Sequence, residues 1–419
     1  MAAVAEGVAG VAVYAYAPLY LRQALGEPRL TVVTLSLALA SLAIFVMAGR
    51  WGRWGDRTGR PGRLIAIGLA GAAATLSALP AARSSTAFIT LLVTTTAFLA
   101  GVIPLGVAWL TLVYPDRPGE AASLLYRARS AGWAVGSFGS GWLAERWGVA
   151  GMIATFWLAA ALAVLAACVV RLAMPRPSRL GPGAAAPVAA TGTASAPEAS
   201  AEATGEERSR AGGALSGNGR GRGDRAIWRY PAVLAIAATV LITIAGNEAF
   251  FAVVGVYFTE YLGGSRGQVG LTLGIASILG ILVLAPAGRL ADRWGPERVF
   301  TLGVGGYALM YALIVLARHP LATMAAFSLP FYPFVAAGAT GVLSRSTPPA
   351  RRGEAVGMYE GSAALAASLG SLLGGVVADL AGIGRVPLAS WVLAVGGLGV
   401  ACRFVLRGAG WHETRQAAQ

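Results

Sequence analysis

Glu248 stands inside the apolar run "ITIAGNEAFFAVVGVYF", with Asn247, Phe250 and Phe251 beside it. An ionised side chain in the middle of a hydrocarbon layer costs about 2.5–3.5 kcal/mol on insertion scales, so it must face a cavity, a partner or a function. A carboxyl group held out of water can take up and release a proton near physiological pH, which is chemistry suited to carrying one. Glu6, in "VAEGVAGVAVYAYAPLYL", is the expected counterpart of Glu248. Both lead after a similar interval to a Tyr-Leu pair, Tyr20-Leu21 and Tyr261-Leu262, and then to glycine. Symmetry predicts similar depths for the two acids. Because so little chain precedes Glu6, the first helix is expected to be short or to begin upstream of the recorded start.

Glu360 is the third acid of this kind, about two turns in from Arg352, while Arg127 and Arg129 lie at the equivalent depth of another apolar run. These positions read either as solvated helix ends or as an ion pair across a cavity. Tyr14, Tyr16, Tyr20, Phe250, Phe251 and Tyr257 could line an amphipathic pocket together with Asn247, Arg127 and Arg129. For Tyr20 and Tyr257 a place in an interfacial aromatic belt is the alternative.

Other chemistries find no residues to carry them. Cys168, Cys402, His319 and His412 make no metal-ligand spacing and no redox pair. All basic residues are arginine, which excludes a Walker-type phosphate site and a Schiff base. No Ser/His/Asp or metal constellation points to an enzyme or to a bound cofactor. The formal charge of +14 could suggest nucleic acid, but the arginines fall in short loops instead of on an aromatic-interleaved face.

The elements that must position the acids are membrane helices. Of 419 residues, 56% are hydrophobic and only 12% charged. A hydrocarbon core of about 30 Å needs roughly 20 apolar helical residues per crossing. Runs bounded by Arg, Pro and Gly predict twelve crossings, all helical: Ala2 to Leu21, Leu30 to Ala48, Leu64 to Ala81, Ala87 to Val113, Ala121 to Ala144 and Val149 to Leu172, then Pro231 to Phe258, Val269 to Ala287, Val299 to Ala317, Leu321 to Leu343, Ala355 to Ala378 and Val386 to Leu406. The first run is full length and is expected to stay in the bilayer. Placing both termini in the cytoplasm puts most arginines on that side, as the positive-inside rule demands.

Between residues 175 and 229 the chain turns to Ala, Gly, Pro, Ser and Thr with scattered charge, a composition that cannot bury a core. It predicts a disordered cytoplasmic linker between a first bundle, 1–174, and a second, 230–407, followed by a cytoplasmic tail, 408–419. The bundles repeat one another. "RPGEAASLLYRARSAGWAVGSFGSGWLAERWG", from Arg117, aligns without gaps on "RRGEAVGMYEGSAALAASLGSLLGGVVADLAG", from Arg351, so that Gly136-Ser137 meets Gly370-Ser371 and Glu145 meets Asp379.

A second repeat lies in "GRWGDRTGRPGR", from Gly52, and "GRLADRWGPER", from Gly288. Each follows the second apolar run of its half. A short connection brings two helix ends together, Gly52, Gly55 and Gly59 permit close backbone approach, and the arginines hold the loop at an anionic surface. Two sets of six helices, each with Gly-x-x-x-Asp-Arg-x-Gly after its second, resemble the major facilitator superfamily of secondary transporters.

That resemblance implies an all-α, polytopic fold of two pseudo-symmetric six-helix bundles rocking about a midplane site. It gives Asp56 the role of a latch that pairs across the interface between halves in one conformation and releases in the other. Gly52, Arg57, Gly59 and Arg60 fill the other motif positions. The second copy keeps Gly288, Asp292, Arg293 and Gly295, but Pro296-Glu297 replaces its basic pair, and Pro61 replaces one basic residue in the first copy. The antiporter signature of the fifth helix is also incomplete: Gly132, Gly136, Gly139 and Gly141 are present, with Ser140 where a proline is expected.

"GEAVGMYEGSAALAASLGSLLGGVVAD" is most similar to the drug and sugar efflux branch. The resemblance implies a monomer in a bacterial-type cytoplasmic membrane that exports amphipathic small molecules against protons, with Glu248, Glu6 and Glu360 as coupling acids and no ATP site. Uptake of a sugar or organic acid is the nearest rival, and a transport-inactive sensor or scaffold is the rival of another class.

Overall fold

A computed structural model describes residues 1–114, 118–173, 230–348 and 351–406. The linker expected at 175–229 and the tail at 408–419 lie outside the described residues. Among the described residues all regular structure is helical. The first half comprises α1 (Ala2–Gln23), α2 (Leu30–Thr58), α3 (Pro61–Ala81), α4 (Ser85–Leu110), α5 (Pro118–Trp147) and α6 (Val149–Ala173). The second comprises α7 (Pro231–Phe251), α8 (Arg266–Trp294), α9 (Pro296–Leu316), α10 (Pro320–Ser346), α11 (Glu354–Ala381) and α12 (Ile383–Val405). Eleven of these are long and apolar enough to cross a membrane. The twelfth, α5, has the length but carries Arg127, Arg129, Glu145 and Arg146. Its polarity is tolerable because it packs between other helices of both halves.

Two helices outrun the apolar runs that predict them. α2 was expected to stop at Ala48 and α8 at Ala287, yet α2 continues to Thr58 and α8 to Trp294. The two Gly-x-x-x-Asp-Arg stretches are therefore the last turns of helices and not loops. Arginine is a good helix former, so loss of hydrophobicity does not end a helix. What ends these is glycine: Gly59 (φ 59°) and Gly295 (φ 90°) take left-handed-side backbone that other residues rarely adopt. Pro61 and Pro296 then open α3 and α9, where the missing amide costs nothing. At the opposite end of α8, Ser265 and Gln268 form a reciprocal capping box.

Small residues set the helix spacings. In α5, Gly132 and Gly136 lie against the backbone of Val4 and Val8 in α1; in α11, Gly370 and Gly374 lie against Ala245 and Ala249 in α7. Another face of the same helices joins the halves: Gly141 of α5 meets Gly270 of α8, and Gly375 of α11 meets Leu30 and Thr31 of α2.

These contacts correct one expectation. Since Gly136 and Gly370 are repeat partners, Val8 corresponds to Ala245, so Glu6 corresponds to Thr243. Glu248 lies five residues, about 7 Å, further along its helix. Glu6 and Glu248 do not share a depth. Pairing Tyr20-Leu21 with Tyr261-Leu262 is off by one helical turn, an error that apolar periodicity does not penalise.

Candidate functional site

Three acids and their surroundings decide the site. Glu6 is buried, and Arg129 Nε donates to its Oε2 at 2.7 Å. The approach is possible because Gly7 lies directly on the Arg129 carbonyl, where a Cβ would collide with it. Glu6 therefore has its counter-charge within its own half. Of the two readings for Glu360 and the α5 arginines, the ion pair is not formed among the described residues, and Glu360 is exposed, as a solvated helix end would be. Arg129 is taken by Glu6, and the Arg127 guanidinium lies 3.4 Å from Ser123 Oγ on its own helix. Among the described residues Glu360 makes no ion pair; it lies near Tyr126 of α5 and Tyr332 of α10.

Among the described residues Glu248 has no such cation, and its one hydrogen bond is from Asn247 Nδ2 at 3.4 Å, a long one. Asn247 is itself anchored, since Tyr311 Oη donates to its Oδ1 at 3.0 Å and approaches its carbonyl at 3.3 Å. Tyr311 comes from α9 and is fully buried. In the gapless repeat, the position of Arg129 is occupied by Ala363, so the second half supplies no arginine there. Glu248 is half-buried, and Tyr14 of α1 lies near it as well as near Arg129, Glu6 and Ser41 of α2. The groups around the carboxyl thus come from both halves, Tyr14 from the first and Asn247 and Tyr311 from the second.

The aromatic residues divide. Tyr14 is half-buried beside Trp133, with ring centroids 6.2 Å apart, and Phe251 is half-buried and stacked on Phe327. Phe250 and Tyr16, expected to line a pocket, are fully buried instead. Phe250 packs on Tyr257, Tyr311 and Phe327 inside its own bundle. Tyr16 wedges its hydroxyl between Gly141 and Gly270. Tyr20 and Tyr257 are core residues as well, Tyr20 packing on Phe88 and Phe156, so neither belongs to an interfacial belt.

Polar contacts between the halves gather at one end, remote from the arginine-rich turns. Asp379, at the close of α11, accepts from the amides of Leu30 and Thr31 at 2.8 Å each and from Thr31 Oγ1 at 2.6 Å, capping α2. Glu145, at the close of α5, accepts from the Gly267 amide at 2.9 Å, capping α8. Arg22 pairs with Glu260 at 2.9 Å, and Gln23 bonds both Thr259 and Arg266. Leu19 packs into the notch left by Gly255. Sequence reasoning aligned Glu145 with Asp379 but assigned neither a task; an acid repeated at matching helix ends was the available signal.

At the arginine-rich end the picture reverses. Asp56 and Asp292 are exposed, and among the described residues neither makes a hydrogen bond or ion pair. Arg57, Arg60 and Arg293 are likewise exposed. Gly55 gives room to Leu105, whereas Gly52 and Gly288 have open space beside them. Among the described residues no hydrogen bond or ion pair joins the halves at the arginine-rich end, whereas the far end holds several.

The family model of the Major Facilitator Superfamily matches residues 1–246 and again 236–416. The chain is 27% identical over 156 residues to the tetracenomycin C resistance and export protein of Streptomyces glaucescens, a match covering 36% of this chain and 29% of that one. It is 27% identical over 154 residues to an uncharacterised MFS-type transporter of Methanocaldococcus jannaschii, covering 36% and 39%. These matches span well under half of either relative. The fold superposes on the crystal structure of the nucleoside transporter NupG with a TM-score of 0.73 at 12% identity, over 96% of this chain and 97% of that one.

Proposed function

The chain belongs to the Major Facilitator Superfamily, and we propose that it is a proton-coupled exporter of amphipathic small molecules. One contrast supports the coupling: among the described residues Glu248 makes no ion pair, whereas Glu6 is held by Arg129 at 2.7 Å. A carboxyl so placed can alternate between a proton and a solute, while a salt-bridged one is committed. Glu6 is therefore a positioning group, and Glu360 a second acid nearer the mouth. Tyr14, Asn247 and Phe251 supply the amphipathic wall that such solutes need.

The positive-inside rule puts the arginine-rich end in the cytoplasm, with both termini, in a bacterial-type plasma membrane. The captured state is then open inward, sealed outside by Asp379 and Glu145. When the outer seal opens, Asp56 and Asp292 close the inner face as latches. The export relative's name favours outward movement. The protein works as a monomer, since each copy holds both halves.

Flux into proteoliposomes under an imposed pH gradient tests the reading. Gradient-driven movement of a lipophilic dye by the wild type, lost in Glu248→Gln, is the expected result. A transport-inactive sensor would give no flux in either protein, and undiminished flux in Glu248→Gln would remove the coupling role.

A further inference from the structure

The outer wall of the second half carries a cleft of about 530 Å³ between α9 and α10. Its axis is a single stripe on α9: Arg298, Leu302, Gly305 and Leu309, at spacings of three to four residues that keep them on one face. Leu302 and Leu309 are half exposed, as side chains that meet lipid should be. Gly305 and Gly306 deepen the floor, and Phe331, where α10 is broken, lies against Gly306. From Arg298 to Leu309 the stripe runs about 16 Å, half of a hydrocarbon core of about 30 Å. The cleft is one leaflet deep.

Its open end is cationic. Arg298 lies in the first turn of α9, is exposed, and among the described residues makes no hydrogen bond or ion pair. Gly295, at the N-cap, gives the first turn no side-chain cap. The carboxylate of the adjacent Glu297 is turned back over Gly295. An apolar trough one acyl chain long, headed by a free guanidinium at the level of the headgroups, matches an anionic phospholipid: phosphate on Arg298, chain over Gly305. Basic sites at the cytoplasmic rim between membrane helices bind such headgroups. We propose that this cleft is a retained binding site for one anionic phospholipid, separate from the space between the halves.

The whole chain, purified in mild detergent, is titrated with phosphatidylglycerol and with phosphatidylcholine while the unfolding midpoint and the bound lipid, by native mass spectrometry, are followed. The expected result is a larger midpoint rise with phosphatidylglycerol and one tightly held copy. Equal stabilisation of the wild type by both lipids overturns the proposal without recourse to any variant. Arg298→Gln should weaken phosphatidylglycerol binding about fivefold, the effect of one surface cation, and leave phosphatidylcholine unchanged. Gly305→Leu should lower binding of both lipids by filling the trough; a Cβ there meets only Leu398 at 3.6 Å, an ordinary contact. Arg318→Gln, at the other end of α9, should change neither. If Arg318→Gln weakens binding as much as Arg298→Gln does, the effect is general surface charge and the site is refuted.

Discussion

Asp379 and Glu145 occupy matching positions in the two halves, and each caps the second helix of the opposite half, Asp379 at Leu30 and Thr31 and Glu145 at Gly267. One ancestral contact, duplicated, thus seals the far end twice. An anion at an exposed helix N-terminus stabilises by about 0.3–1 kcal/mol, so Asp379→Asn should shift the open-to-closed ratio at that end up to about fivefold. Spin labels at residues 24 and 381, in a background without Cys168 and Cys402, should report a larger population of long distances. An unchanged distance distribution in Asp379→Asn combined with Glu145→Gln would mean that the caps do not hold the seal.

The Glu6–Arg129 pair should behave as a buried pair does when half of it is removed. Arg129→Ala leaves a carboxylate that is 9% exposed without its partner and should cost about 3 kcal/mol of stability. Adding Glu6→Gln should restore much of that loss. A double-mutant cycle on thermal unfolding reads the coupling, and strictly additive losses would contradict the pairing.

Tyr311 donates to Asn247, and Asn247 donates to Glu248. Tyr311→Phe removes one buried hydrogen bond and should lower stability by about 1 kcal/mol. It should also depress proton-driven flux several-fold and move the pH profile of flux, because Asn247 no longer holds its amide toward the carboxyl group. A stability loss with an unmoved pH profile would reduce Tyr311 to a packing residue.

Asp56 offers the opposite signature. It has no partner among the described residues in this state, so Asp56→Asn should change the unfolding midpoint little, within about 0.5 kcal/mol, as exposed substitutions do. If it latches the alternate state, the same variant should slow flux and lengthen residence in the inward-open form. Full-speed transport by Asp56→Asn would dismiss the latch.

Sequence alone determined the number of helices, their division into two halves and the twice-copied motif. It could do so because a hydrocarbon layer forces runs of apolar residues of nearly constant length, and because a duplicated chain shows its repeat without any folding. Tertiary structure alone decided which acid has a counter-charge. Arg129 and Glu6 are 123 residues apart, and their meeting depends on how α1 slides along α5. An apolar helix looks much the same after a shift of one turn, so pattern could not align Glu6 with Thr243; only the fit of Val8 to Gly136 and of Ala245 to Gly370 did. Rotation about the helix axis sent Phe250 and Tyr16 into packed interiors while their neighbours Phe251 and Tyr14 stayed half-buried. Depth and rotation are properties of helix pairs, set where glycine lets backbones touch, and a single chain read in order carries neither.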